Sequence, residues 1–403
     1  MLVSLTKKVI FLIWFILTIF LIIAFSRGYR PDIKQKKILS TGIVSVTSSP
    51  KSAQVYINDK FKGVTDINLN LPPGRYKINV KKDGYFPWEK EIILKGELVI
   101  NLDPLLFAVN PSLSAQTNIG IKKAIAINRT GKILLFVENG NLDKDGLYLF
   151  DINKKVFSFF PPLRLLAKKT QFGEIFEASD FSQAELDFSP DYKQVLIRWS
   201  NNAYILNLDE ENSQPFDVSF SYENLLASWK EELKKQQLKV LETFGKDFFA
   251  IASDSFHLIA FSPDKTKILY QPKKNISLPS FLKTPLLVTN QTPEERNLTL
   301  DKVYVYDRKE DKNFAIFRRD KPSLFSLENP IIITWYSDSK HLVFVKDKKI
   351  IISDYDNTNK QIVYSAPFEE GFLSITDDGR LLILANLNPQ ANLQPDLYSV
   401  SLK

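Results

Sequence analysis

Leu186-Asp187-Phe188-Ser189-Pro190-Asp191-Tyr192-Lys193-Gln194-Val195-Leu196-Ile197 reads as strand, polar turn, strand. Pro presets φ in the turn and Asp bonds its own backbone, so Ser-Pro-Asp reverses the chain between two apolar runs. The same pattern recurs at 124–135, 259–270, 333–344 and 373–383. Behind each hairpin lies a further apolar run, at 147–151, 204–207, 303–307, 350–354 and 397–400. Each repeat therefore supplies three or four strands, which is the content of one β-propeller blade. Many more residues separate Asp191 from Asp264 than Asp338 from Asp378, so some blades carry insertions. Over 222–244, Leu225, Leu226, Trp229, Leu233, Val240, Leu241 and Phe244 fall at helical spacing with Lys and Glu opposite. That predicts a helical insertion packed on its own domain. Residues 158–180 and 271–298 read as further loop insertions. The expectation for 104–403 is a β-propeller of about six blades, one of them closed by both ends of the module.

Upstream, 42–103 changes rhythm. Ile43-Val44-Ser45-Val46-Thr47, Gln54-Val55-Tyr56-Ile57 and Tyr76-Lys77-Ile78-Asn79-Val80 alternate apolar and polar residues, and 89–94 and 97–102 add two runs. Strict period two buries one face and wets the other, which predicts a small antiparallel β-sandwich. Asn58-Asp59-Lys60 and Pro72-Pro73-Gly74-Arg75 supply turns. In their order these elements resemble the PEGA domain. The matching residues are Ser49-Pro50, Ala53, Val55-Tyr56-Ile57-Asn58, Gly63-Val64-Thr65, Leu71-Pro72-Pro73-Gly74-Arg75-Tyr76 and Lys82-Asp83-Gly84-Tyr85. The sequence departs from the family at Lys51-Ser52, where Glu-Gly would stand, and at Asp66, where Pro would stand. The resemblance implies a non-catalytic binding or spacer module of a bacterial or archaeal envelope protein. The later repeats resemble TolB-like and WD-repeat-like propellers, with Phe188-Ser189-Pro190-Asp191 and Phe261-Ser262-Pro263-Asp264 carrying the likeness.

Residues 9–25 read VIFLIWFILTIFLIIAF, with Thr18 the one polar side chain. Such a run can satisfy its backbone inside hydrocarbon as a helix, so a transmembrane helix is expected over 9–26, behind a short tail over 1–8. The run exceeds a signal-peptide core, and no small residues follow for cleavage. Arg27, Arg30, Lys34, Lys36 and Lys37 make 27–41 a basic juxtamembrane linker and supply most of the net charge of +7. Membrane phosphates explain that cluster, and no nucleic acid is expected as a partner. Counted against Lys7 and Lys8, the five basic residues draw the large part of the chain into the cytoplasm. The PEGA resemblance draws it outside. The reading carried forward is a single-pass cell-membrane protein with its bulk extracytoplasmic.

The sequence has no Cys and two His. Disulfides, thiol nucleophiles and Cys-ligated metals are thereby excluded. G-x-S-x-G, P-loop and H-E-x-x-H motifs are absent. His257 enters one strand and His341 begins another, so both are expected to be structural or surface residues. Asn141, Asp143, Asp145 and Gly146 open like a calcium loop, but Ile152 stands where the bidentate Glu is needed, and a hairpin turn is expected. Asp377-Asp378 sits in a repeat turn. This reading names no catalytic residue, no cofactor site and no metal site, and expects no enzyme. The expected function is membrane-anchored binding or scaffolding, with a propeller face meeting an envelope protein or polysaccharide. The alternative is a glycan lyase or hydrolase using carboxylates on that face.

Overall fold

The computed structural model describes residues 2–26, 29–32, 37–127, 130–152, 162–173, 180–284, 286–318, 332–387, 389–390 and 393–403. Asn128 and Arg129 of the first repeat, Arg27, Lys34 and Lys36 of the basic cluster, and 158–161 and 174–179 of one expected insertion lie outside the described residues. The chain divides into two compact units. Met1–Asn110, Leu282–Glu294 and Lys403 form the first; Pro111–Phe281 and Glu295–Leu402 form the second.

In the first unit, helix α1 (Leu2–Ser26) precedes a hairpin of β1 (Tyr29–Asp32) and β2 (Lys37–Ser40). The strands β3 (Gly42–Val46), β4 (Gln54–Ile57), β5 (Lys60–Val64) and β6 (Ile67–Leu71) follow. Then come β7 (Gly74–Lys81), β8 (Trp88–Leu94) and β9 (Val99–Leu102). They form two sheets, ordered β6-β3-β9 and β5-β4-β7-β8. Alternate side chains Val44, Val46, Val55, Ile78 and Val80 are buried in the core of this unit, as period two requires. Asn58 and Asp59 both take positive φ, 47° and 62°, the backbone of a two-residue hairpin loop joining β4 to β5. One pairing differs from the antiparallel expectation: β3 and β9 run parallel. Alternation records which face a residue takes and says nothing about strand direction, so the sequence could not show this.

Helix α1 exposes apolar side chains along 9–23. Among the described residues no helix is long and apolar enough to cross a membrane. The transmembrane helix expected over 9–26 is corrected accordingly.

The second unit begins with β10 (Ser112–Ala115). Its first sheet is β11 (Lys123–Ile127), β12 (Lys132–Val137), β13 (Gly146–Asp151) and β14 (Leu163–Lys168). The second is β15 (Glu185–Phe188), β16 (Gln194–Trp199), β17 (Asn202–Asn207) and β18 (Phe216–Asp217). Helices α2 (Tyr222–Glu242) and α3 (Lys246–Ser255) come next. After β19 (Phe256–Phe261) and β20 (Lys267–Pro272), a short hairpin of β21 (Ile276–Ser277) and β22 (Asn297–Leu298) intervenes. The strands β23 (Lys302–Asp307) and β24 (Lys312–Arg318) then complete the third sheet. The fourth is β25 (Ile333–Trp335), β26 (His341–Lys346), β27 (Lys349–Asp354) and β28 (Gln361–Tyr364). The strands β29 (Leu373–Ile375), β30 (Leu381–Ala385) and β31 (Asp396–Ser401) make the fifth sheet with β10, in the order β10-β31-β30-β29.

Strand β12 shows why the repeat strands read as continuous apolar runs rather than alternating ones. Leu134 and Phe136 pack with Val195 and Ile197 of the second sheet. Ile133 and Leu135 pack with Leu382 and Leu384 of the fifth. Both faces of the strand are covered, so neither can be polar. In the third sheet, Ile268 and Tyr270 face Leu241 and Phe248 of the helices, while Leu269 faces Trp335 and Leu342 of the fourth sheet.

The expected fold class is corrected here as well. The described chain is mostly β with three helices, not all-β, and its second unit holds five separate four-stranded sheets rather than about six blades, with no closed barrel. The long interval after Asp191 is taken up by two helices, which reach beyond the 222–244 insertion expected. Part of the loop expected over 158–180 is β14, a sheet strand.

Candidate functional site

The sequence places acids most regularly at the repeat turns, and the structure holds these in one recurring arrangement. In the second sheet, the Ser189 hydroxyl donates to Asp191 Oδ1 at 2.7 Å, and the Lys193 amide donates to the same oxygen at 3.1 Å. The Gln194 amide donates to Ser189 Oγ at 2.9 Å. The third sheet repeats this with Ser262, Asp264, Thr266 and Lys267 at 2.7–3.1 Å. In the fifth, Thr376 bonds Asp378, the Arg380 amide donates to Thr376 Oγ1, and Arg380 Nε donates to Asp378 Oδ2 at 2.9 Å. These bonds favour the ionised acids. Burial pushes the Asp264 carboxyl up, but the Ser262 and Thr266 hydroxyls overcome it and hold it at about 2.

The fourth sheet builds its turn around His341, which is 5% exposed. Its Nδ1 lies 2.6 Å from Asp338 Oδ2 and its Nε2 lies 3.2 Å from Asp354 Oδ1. Asp338 Oδ1 accepts from the Lys340 and His341 amides at 2.9 and 3.1 Å, while Asn359 Nδ2 donates to Asp354 Oδ2 at 2.9 Å. Burial pushes the imidazole down, but the two carboxylates outweigh it and raise it from 6.5 to about 9. At neutral pH His341 is thus an imidazolium clamped inside the turn. His257, on β19, is exposed.

The sheets are fastened to one another by the same turns. The Asp264 amide donates to Ser339 Oγ at 3.0 Å, joining third to fourth. Tyr336, fully buried, donates its hydroxyl to the Gly379 carbonyl at 2.7 Å, joining fourth to fifth. Lys267 lies 3.5 Å from Asp307 Oδ2 and 4.8 Å from the Tyr355 ring centre.

The calcium-like stretch is a turn. Asp145 accepts from the Asn139 amide with Oδ1 at 2.8 Å and from the Gly140 amide with Oδ2 at 3.0 Å, and the Asp143 side chain is 93% exposed beside Lys168. Among the described residues no group of three or more His, Asp or Glu is arranged to hold a metal ion.

Sequence reasoning missed a feature of the first unit. Strand β8 is the edge of its sheet. The Ile93 amide donates to Gln291 Oε1 at 2.5 Å, and Gln291 Nε2 donates to the Ile93 carbonyl at 3.0 Å. A cavity of about 220 Å³ lies between Ile93, Leu98 and Ile100 on the strand side and Leu286, Val288 and Gln291 on the segment side. Nothing in the sequence marks Gln291, which is 198 positions from its partner.

Residues 41–106 match the PEGA domain. The match covers the sandwich of the first unit, including the β8 edge. No curated protein matches the chain. Among solved structures, a TolB from Agrobacterium tumefaciens aligns at 10% identity over 70% of this chain and 73% of that one, with a TM-score of 0.22. The C-terminal WD40 domain of Sif2 aligns at 10% identity over 91% and 95%, with a TM-score of 0.25. The CNH domain of AfRom2 aligns at 10% identity over 72% and 99%, with a TM-score of 0.28.

Proposed function

We propose that this chain is an extracytoplasmic binding or scaffold protein that meets an envelope protein or polysaccharide and performs no chemistry of its own. One observation carries the non-catalytic reading. Asp191, Asp264, Asp338 and Asp378, the acids most regularly placed by the sequence, each accept from the hydroxyls, amides or basic side chains of their own turns. Their role is to fasten the sheets. The PEGA match supports the compartment, since such domains occur in extracellular or periplasmic proteins.

Protease added to intact cells that carry the full chain tests this reading. Fragments of the second unit are expected before lysis. Complete protection until the cells are broken contradicts the extracytoplasmic placement. Turnover of an envelope glycan that is abolished by changing one of the turn acids, with the fold retained, contradicts the non-catalytic one.

A further inference from the structure

Alternation should leave the solvent face of the β5-β4-β7-β8 sheet polar. Over β7 and β8 its charges balance: Lys77 pairs with Glu89 at 2.9 Å and Arg75 with Glu91 at 3.8 Å. Over β4 and β5 the same face is different. Phe61 is 59% exposed and Val64 48%, standing in register with Tyr56 and Gln54 of β4. Exposed apolar side chains grouped in this way, rather than scattered singly, mark a binding surface.

The rings there are held in place. Tyr56 donates its hydroxyl to Gln54 Oε1 at 2.9 Å, and the Phe61 ring crosses that of Tyr56 at 63°, with centroids 5.7 Å apart. Lys81, opposite Gln54 on β7, carries its ammonium 5.2 Å from the Tyr56 ring centre. Lys60 and Lys62 flank Phe61 along β5 and are exposed. Among the described residues none of these three lysines is ion-paired.

An exposed ring beside unbalanced cations suits a sugar that carries an acid. A pyranose lays its C–H bonds against an aromatic face, where the π charge is negative. A carboxylate or phosphate on that sugar draws the ammonium groups. A flat anionic membrane fits less well, because the β7–β8 half, with Glu89 and Glu91 set against Lys77 and Arg75, gains nothing from lipid phosphates. A narrow chain laid along β4 and β5 meets the unbalanced half alone.

We infer that the β4–β5 half of this face binds an anionic polysaccharide, with Phe61 stacked on a sugar ring, Tyr56 behind it and Lys81 meeting the acidic group. This site deepens the binding reading proposed above, on which it rests: it takes polysaccharide over protein and sets the contact on the first unit.

The test is affinity electrophoresis of the full chain through gels containing polygalacturonate, with dextran as the uncharged probe, and flotation with phosphatidylglycerol vesicles beside it. Polygalacturonate is expected to retard the unaltered chain, and dextran is not. Phe61→Ala and Lys81→Gln should each weaken that binding roughly fivefold or more, and Lys77→Gln, on the balanced half, less than roughly twofold. Both changed side chains of the site are exposed, so an unchanged thermal melt is expected to show the fold retained. Retardation that neither variant weakens overturns this site and leaves the broader binding reading standing. Equal weakening by Lys77→Gln reduces the site to general charge attraction and overturns it. Binding to the vesicles alone assigns the face to a membrane and overturns the glycan. The protease and turnover experiments above judge compartment and chemistry, so their failure is distinguishable from this one.

Discussion

The fifth sheet and the larger sheet of the first unit each receive a segment from elsewhere in the chain at an edge, and hold it in different ways. In the fifth, β10 pairs with β31 over four residue pairs, from Ser112 with Ser401 to Ala115 with Tyr398. The chain just beyond β10 is then pinned by Asp396, whose Oδ1 accepts from the Thr117 hydroxyl and from the Ile119 and Gly120 amides at 2.8–3.2 Å. At β8 the Gln291 carboxamide bonds the Ile93 main chain, and Leu286, Leu287 and Val288 beside it are 37–78% exposed. A four-residue ladder with a buried acid opens only with its sheet. A single side-chain bridge can open alone. The difference is between a ladder of main-chain pairs and a side-chain bridge.

Breaking the second unit's fastenings should therefore cost far more than breaking the β8 bridge. The largest effect is expected from His341→Ala, which leaves Asp338 and Asp354 facing each other without their cation. A loss of about 3–5 kcal/mol of unfolding free energy by denaturant titration is expected, as for other broken buried pairs. The same site sets a pH window. His341 is raised in the fold, so its contribution is full below 6.5 and is lost as pH rises through about 9. Asp338 is lowered: burial opposes ionisation, but the His341 bond overcomes it. Its contribution is present above 3.8 and fades as pH falls through the folded value. Thermal melts should show a plateau between these limits that His341→Ala flattens.

Asp396→Ala comes next. Three donors lose one shared acceptor, and about 2–3 kcal/mol is expected, with faster amide exchange at Leu397 as the specific readout. Gly379→Ala should follow at about 1–3 kcal/mol. Its φ is +84°, and an added Cβ would lie 2.3 Å from the Tyr336 hydroxyl oxygen that bonds its carbonyl. Gln291→Ala should cost less than about 1 kcal/mol in the same titration, since its bonds are exposed to water.

How far the sequence reached can be seen strand by strand. Gln54-Val55-Tyr56-Ile57 alternates because one face is wet, and it is β4 as read. The Ser-Pro-Asp turns were legible because their bonding is local, within five residues. The expected closure by both ends of the module is found where strand β10 joins a sheet whose other strands lie near the opposite end of the chain, but five four-stranded sheets stand among the described residues where about six blades were expected. The Leu163–Lys168 strand carries Arg164 and Lys168 among its apolar residues and resembled a loop. At the N-terminus the apolar run was read correctly as a helix, but among the described residues no helix is long and apolar enough to cross a membrane. The charge around His341 was invisible for another reason. Asp338 is three residues away, but Asp354 arrives from the adjacent strand, β27, and only together do they hold the proton.

Native-state hydrogen exchange on the unaltered chain puts the comparison to the most direct test, because both edges are read in one molecule. The Gln116 amide, bonded to the Leu397 carbonyl at 2.8 Å beside the β10 ladder, should exchange only with opening of the fifth sheet. The Ile93 amide should exchange orders of magnitude faster through local release of Gln291, with no dependence on low denaturant. Equal protection at the two amides, with the same denaturant dependence, would contradict the account: the β8 edge would then be sealed as firmly as the fifth sheet.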